Sequence, residues 1–187
     1  MTPSAARPGD RERAERILQF IAPDAAQSWG RVIPGVPHSK GRPRFDTDGR
    51  AYTAKEDKKA ERTTAQHVRR WFRLPLTGNV AVGCVFFRPN MQQIDTDNLL
   101  KHLCDAGNRI VWIDDSQITA KYGEIQLDAG HPRTILVVAP HVSTMLRGTD
   151  NVRPCTGCGL PFQPSRKTQK FHSVECFREH RARAAVS

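Results

Sequence analysis

Residues 79–87 (Asn-Val-Ala-Val-Gly-Cys-Val-Phe-Phe) form an apolar run of strand length with no alternation of polar and apolar positions. A strand with one wet face alternates, whereas a strand apolar on both faces is covered on both. The run therefore predicts a central strand over 79–87, stopped by Pro89. Further strands are predicted over 28–33, 116–127 and 134–139. Helices are predicted over 11–21, over 54–72 with Thr53 as N-cap, and over 97–107, the last burying Leu99, Leu100, Leu103 and Cys104. Residues 34–50, crowded with Pro, Gly and basic side chains, read as a long loop or hairpin. Mixed strands and helices of this kind define an α+β (α/β) chain.

A length of 187 residues suits one domain and a small appendage. Composition changes after Pro140. Residues 1–25 read as an N-terminal extension, 26–140 as the main domain, 141–153 as a linker and 154–187 as a cysteine-bearing module with a basic tail. The formal charge is +10 and the pI about 9.9, which favours phosphate backbones over the rarer anionic membrane surface. The positive charge is concentrated in two blocks, 40–70 and 153–183, on either side of an acidic motif.

No apolar run approaches the ~20 residues of a transmembrane helix. No apolar segment follows the arginines of residues 1–16, so the start does not read as a signal peptide. A cytoplasmic location, in a bacterial or phage-infected cell, is the expectation. Five cysteines, an odd number, argue against a disulfide framework. Cys84 and Cys104 lie in apolar patterns and are expected to be buried thiols.

The acidic motif is Asp95-Thr96-Asp97-Asn98-Leu99-Leu100-Lys101, followed by Asp114-Asp115-Ser116-Gln117. Carboxylates in a basic chain suit a divalent cation held against a polyanion, and phosphodiester hydrolysis is the chemistry such an ion supports. Asp95 and Asp97, two apart in an extended segment, can share an ion. Asp97 also stands where a helix begins and can instead cap it. Lys101 lies one turn beyond Asp97 and Asp105 one turn beyond Lys101, a polar stripe opposite the leucines. A lysine there can polarise a scissile phosphate. The alternative is plain structure: an N-cap, a helix salt bridge and a turn at Asp114-Asp115.

Taken in order, Lys40-Gly41-Arg42-Pro43-Arg44, Gly49 with Tyr52-Thr53, the Asp95–Lys101 motif and Asp114-Asp115-Ser116-Gln117-Ile118 resemble the RusA family of Holliday junction resolvases over residues 30–140. The resemblance implies a mixed sheet with packed helices. It also implies a Mg²⁺-dependent endonuclease that works as a homodimer and nicks opposing strands of branched, four-way DNA. By motif, Asp95, Asp97 and Asp115 would bind Mg²⁺ and Lys101 would be the catalytic lysine. Asn98 and Asp114 would support them. Lys40, Arg42 and Arg44 would contact DNA, the alternative being a solvated surface loop. Lys121 is a candidate for a further basic residue that many relatives carry.

Cys155-x2-Cys158 and His172-x3-Cys176 have the spacing of a tetrahedral Zn²⁺ site. Ser173 is placed to cap a helix through Arg183. The stretch resembles treble-clef-like fingers with His172 in place of a third cysteine. Four protein ligands close the ion to water, so a structural role is expected. His38, His67, His102, His131, His141 and His180 show no partner spacing and read as surface or structural. Two competing functions remain open here: a non-catalytic, zinc-containing DNA-binding protein, and a metal nuclease acting on flaps or forks.

Overall fold

The computed structural model describes residues 6–41, 44–143, 152–162, 164 and 168–184, with the backbone alone for Arg44 and Ala184. In chain order it runs α1 (Asp10–Ile21), β1 (Trp29–Pro34), β2 (Arg44–Phe45), β3 (Ala51–Tyr52), α2 (Lys55–Arg69), β4 (Val80–Arg88) and α3 (Thr96–Gly107). A single 3-10 turn (Asp115–Gln117) leads into β5 (Ile118–Leu127) and β6 (Arg133–Pro140). The hairpin strands β7 (Arg153–Pro154) and β8 (Pro161–Phe162) and helix α4 (Val174–Ala184) complete it.

Four strands form one mixed sheet in the order β1-β6-β4-β5. β4 is central, antiparallel to β6 and parallel to β5, and all nine of its residues are buried. Its two faces feed two cores, because successive side chains of a strand point to opposite sides. Val80, Val82, Cys84 and Phe86 pack under Leu99, Leu100 and Leu103 of α3 and Val68 of α2. Ala81, Val85 and Phe87 pack under Ile17 and Ile21 of α1. This double cover is the physical reason for the unbroken apolar run. Cys84 and Cys104 are free and buried, and desolvation pushes the Cys84 thiol well above its ordinary range.

Two helix starts differ from expectation. α2 begins at Lys55 with Ala54 as N-cap and no side-chain cap, so Thr53 does not serve. α3 begins at Thr96, and its N-cap is Asp95 rather than Asp97. Of the stretch 34–50 that reads as a long loop or hairpin, only its end is a hairpin among the described residues: β2 pairs β3 over residues 44–52. Val111 and Trp112 are fully buried, but this segment reaches the second acidic pair as a turn with isolated bridges to Leu76 and Asn108, not as a strand. No helix among the described residues is long and apolar enough to cross a membrane.

Candidate active site

The first half of the site is the start of α3. The Asp95 carboxylate accepts the Asp97 N–H at 3.0 Å, which satisfies one of the free amides of the first turn. Asp95, Asp97 and Lys101 are exposed on the solvent side of the helix while Leu99, Leu100 and Leu103 are buried beneath it. The helix lies close on β5 because position 123 is glycine. A Cβ there would meet Thr96 Cγ2 at 2.7 Å and Leu100 Cδ1 at 2.8 Å. Among the described residues, the side chains of Asp97 and Lys101 take part in no hydrogen bond or ion pair.

The second half is the turn before β5. Asp114 caps it by accepting the Ser116 N–H at 3.0 Å, with Gln117 completing a capping box. Asp115, the next residue, is exposed. The turn packs against α3. Burial pushes the Cys104 thiol up to about 11; Lys121 works against the rise and the charges of Asp115 and Asp105 add to it. Asp115 and Lys121 are therefore both within electrostatic reach of the flank of α3 at Cys104. That flank lies seven residues, about 10 Å along the axis, from Asp97. The three aspartates are not drawn into one tight cluster: among the described residues, only Cys155, Cys158, His172 and Cys176 gather three or more such ligand atoms within 4.8 Å.

Gln117 is the residue that sequence reasoning missed here. It is fully buried, and its side-chain oxygen accepts the N–H groups of Ile113 at 2.7 Å and Asp114 at 2.9 Å. Its amide donates to the carbonyls of Leu76 at 3.1 Å and Gly78 at 2.7 Å. One side chain thus fixes the turn that presents Asp115. The cue in the sequence was a glutamine three residues after an aspartate, the spacing of a capping box.

The stem of the basic loop runs between α2 and α3. The Lys40 N–H donates to the Asn98 carbonyl at 3.1 Å. The Lys40 ammonium donates to Glu61 of α2 at 2.8 Å and to Asp105 of α3. Burial opposes its charge, and the two carboxylates outweigh that and raise its pKa. Asp57 accepts His38 Nε2 at 2.7 Å and the Gly41 N–H at 3.4 Å. His38 in turn lies edge-on to buried His102, whose Nε2 meets Thr64 Oγ1 at 3.1 Å. Two histidines without partner spacing in the sequence therefore have partners in space. Arg42 and the Arg44 side chain lie outside the described residues.

In the C-terminal module, Cys155 Sγ and Cys176 Sγ are 3.4 Å apart, as are Cys158 Sγ and His172 Nδ1. The β7–β8 hairpin carries the first pair. The first turn of α4, where Ser173 Oγ accepts the Cys176 N–H at 3.1 Å, carries the last. Four soft or borderline donors at these separations fit one tetrahedral metal ion, with sulfurs about 2.3 Å from it. A cavity of about 160 Å³ lies between this module and the turn that carries Asp114, with Arg109 and Asp114 on one side and Phe162 and His172 on the other.

The mixed sheet with helices packed on it defines an α+β protein, and its net charge of +10 suits a nucleic-acid partner. A family model described as Endodeoxyribonuclease RusA matches residues 34–138, more than half of the chain, and the chain belongs to that family. The protein is a DNA-hydrolysing nuclease of the Holliday junction resolvase kind. None of the curated proteins matches it.

Proposed function

We propose that the protein is a Mg²⁺-dependent endodeoxyribonuclease that resolves four-way DNA junctions by paired, symmetric nicks, acting as a homodimer inside a bacterial or phage-infected cell. One observation carries the catalytic assignment. An exposed carboxylate pair at the start of α3 stands one turn from a lysine with no protein partner among the described residues, in a chain of the RusA family.

Asp95, Asp97 and Asp115 are the proposed Mg²⁺ ligands. The donor set fits a hard cation: oxygen atoms only, exposed, on two elements that touch. When bound, such an ion neutralises phosphate charge and lowers the pKa of a coordinated water. Lys101 faces the scissile phosphate and stabilises its developing charge. Asn98 and the capping residue Asp114 support the arrangement. Arg42 and Arg44 contact the DNA backbone; Lys40, which the motif set beside them, is held instead by Glu61 and Asp105. Cys155, Cys158, His172 and Cys176 hold a structural Zn²⁺. The module from residue 154 serves as a separate domain joined to the nuclease domain (26–140) by residues 141–153.

Cleavage of a synthetic four-way junction with Mg²⁺ tests this reading, with linear duplex and flap DNA as comparisons. Asp97→Asn is expected to lower cutting by about 100-fold or more while preserving junction binding, the loss typical of removing one charged group from a catalytic centre. Unchanged cutting by Asp97→Asn would overturn the assignment.

A further inference from the structure

Two lysines near α3 stand in opposite conditions. Lys101 is exposed and unpaired among the described residues, although Asp105 follows it by four positions. That is the helical spacing at which a lysine and a carboxylate meet. Lys40, from a distant part of the chain, is only 19% exposed at its side chain and donates to both Asp105 and Glu61. We propose that Lys40 is a positioning residue for DNA cleavage: it occupies Asp105 and so keeps that carboxylate from pairing with Lys101. The proposal rests on Lys101 being the phosphate-facing lysine assigned above.

The approach of Lys40 to Asp105 is built rather than incidental. Its main chain is fixed to α3 through the Asn98 carbonyl. The residues around it, His38 and Gly41, are both held by Asp57 of α2. Gly41 leaves room for this, since a Cβ there would stand 3.0 Å from Asp57 Oδ2. Asp57, Glu61 and Thr64 of α2 face Asn98, His102 and Asp105 of α3, and the 38–41 stem fills the seam between them. An ammonium shared by two carboxylates has little to offer a DNA phosphate. With Lys40 absent, Lys101 is the lysine one helical turn before Asp105 on α3. An i,i+4 pair of this kind is favoured about 1.4- to 2.3-fold over its open form, so about 60–70% of Lys101 would be withdrawn from the phosphate.

The test compares Lys40→Met, Asp105→Asn, their double variant and Lys101→Ala, using cleavage rate at saturating four-way junction and junction affinity across a salt series. Lys40→Met is expected to slow cleavage about two- to threefold with affinity and salt dependence unchanged. Asp105→Asn alone keeps the normal rate, and the double variant regains it. Weakened binding in Lys40→Met, with a salt slope reduced by about one phosphate contact and no recovery in the double variant, would overturn the proposal and place Lys40 on DNA. Should Lys40→Met fail to fold, the double variant still decides: a rate equal to that of Asp105→Asn supports the proposal, and a slower rate overturns it. Cutting that survives Lys101→Ala would overturn the Lys101 assignment and this proposal with it. Loss of cutting in Lys101→Ala alongside an unrescued Lys40→Met would overturn this proposal alone.

Discussion

The side-chain amide of Gln117 donates to the carbonyl of Gly78 at 2.7 Å, tying the turn that presents Asp115 to the segment leading into the central strand. Gln117→Ala removes the partner of the buried Ile113 N–H and of three part-buried groups, the Asp114 N–H and the Leu76 and Gly78 carbonyls. Leaving buried polar groups unpaired costs about 1–3 kcal/mol each before relaxation and water entry, so a loss of about 2–4 kcal/mol is expected. Chemical denaturation measures it. Junction cleavage is expected to fall further than the folded fraction does, because the Asp115 turn loses its anchor.

Gly123 sets how closely α3 lies on β5. Gly123→Val would drive a branched side chain into Thr96 and Leu100, displacing the helix start that carries Asp95 and Asp97. Overpacking of this kind costs about 1–3 kcal/mol. The expected outcome is a lowered melting temperature together with lost cleavage, while Gly130→Val, where a Cβ meets nothing within 4 Å, changes neither.

Stability should depend on pH through His102. Its burial lowers its pKa to about 4, with the charge of His38 adding to the effect. An unfolded histidine titrates near 6.5, so the unfolded chain binds more protons than the folded one between about pH 4 and 6.5. Stability therefore rises with pH through that window and is lost on acidification, by at most about 3 kcal/mol. Melting curves from pH 7 to 4.5 check this, and His102→Gln is expected to flatten the dependence.

The metal module should stand or fall with its ion. Chelation, or Cys176→Ser, is expected to release one zinc per chain and unfold α4 and the β7–β8 hairpin, since so small a core cannot fold unaided. Metal analysis and limited proteolysis read this out. The main sheet is expected to resist digestion under the same conditions, because its two cores share no residue with the Cys155, Phe162 and Cys176 cluster.

Much of this was legible in the sequence where physics is local. The double-faced apolar run specified β4 as central, the leucine stripe specified the buried face of α3, and the Cys/His spacing specified the metal cluster. The caps were less legible: Thr53 is a good capping residue passed over one position early, and Asp95 took the role expected of Asp97. What stayed hidden was long-range. Lys40 meets Asp105 across 65 residues, and His38 meets Asp57 across 19. No periodicity marks such pairs, because they depend on how two helices flank one crevice. The aspartate trio lies between these cases. Its members were visible as a motif, and the fold sets Asp115 on a turn packed against the helix of the other two without gathering them as tightly as the zinc ligands.

In the sequence the first helix reads as part of an N-terminal extension, residues 1–25, ahead of the main domain. In the fold it covers one sheet face among the described residues, and Asp10 at its start is locked by two hydrogen bonds from buried Arg133, which also holds Asp128. A shortened protein beginning at residue 26 would therefore bare Val85, Phe87 and Ile135 to water and strip Arg133 of its Asp10 partner, leaving it Asp128. Such a fragment should precipitate on expression, and a purification tag belongs upstream of Gly9 rather than in place of the helix.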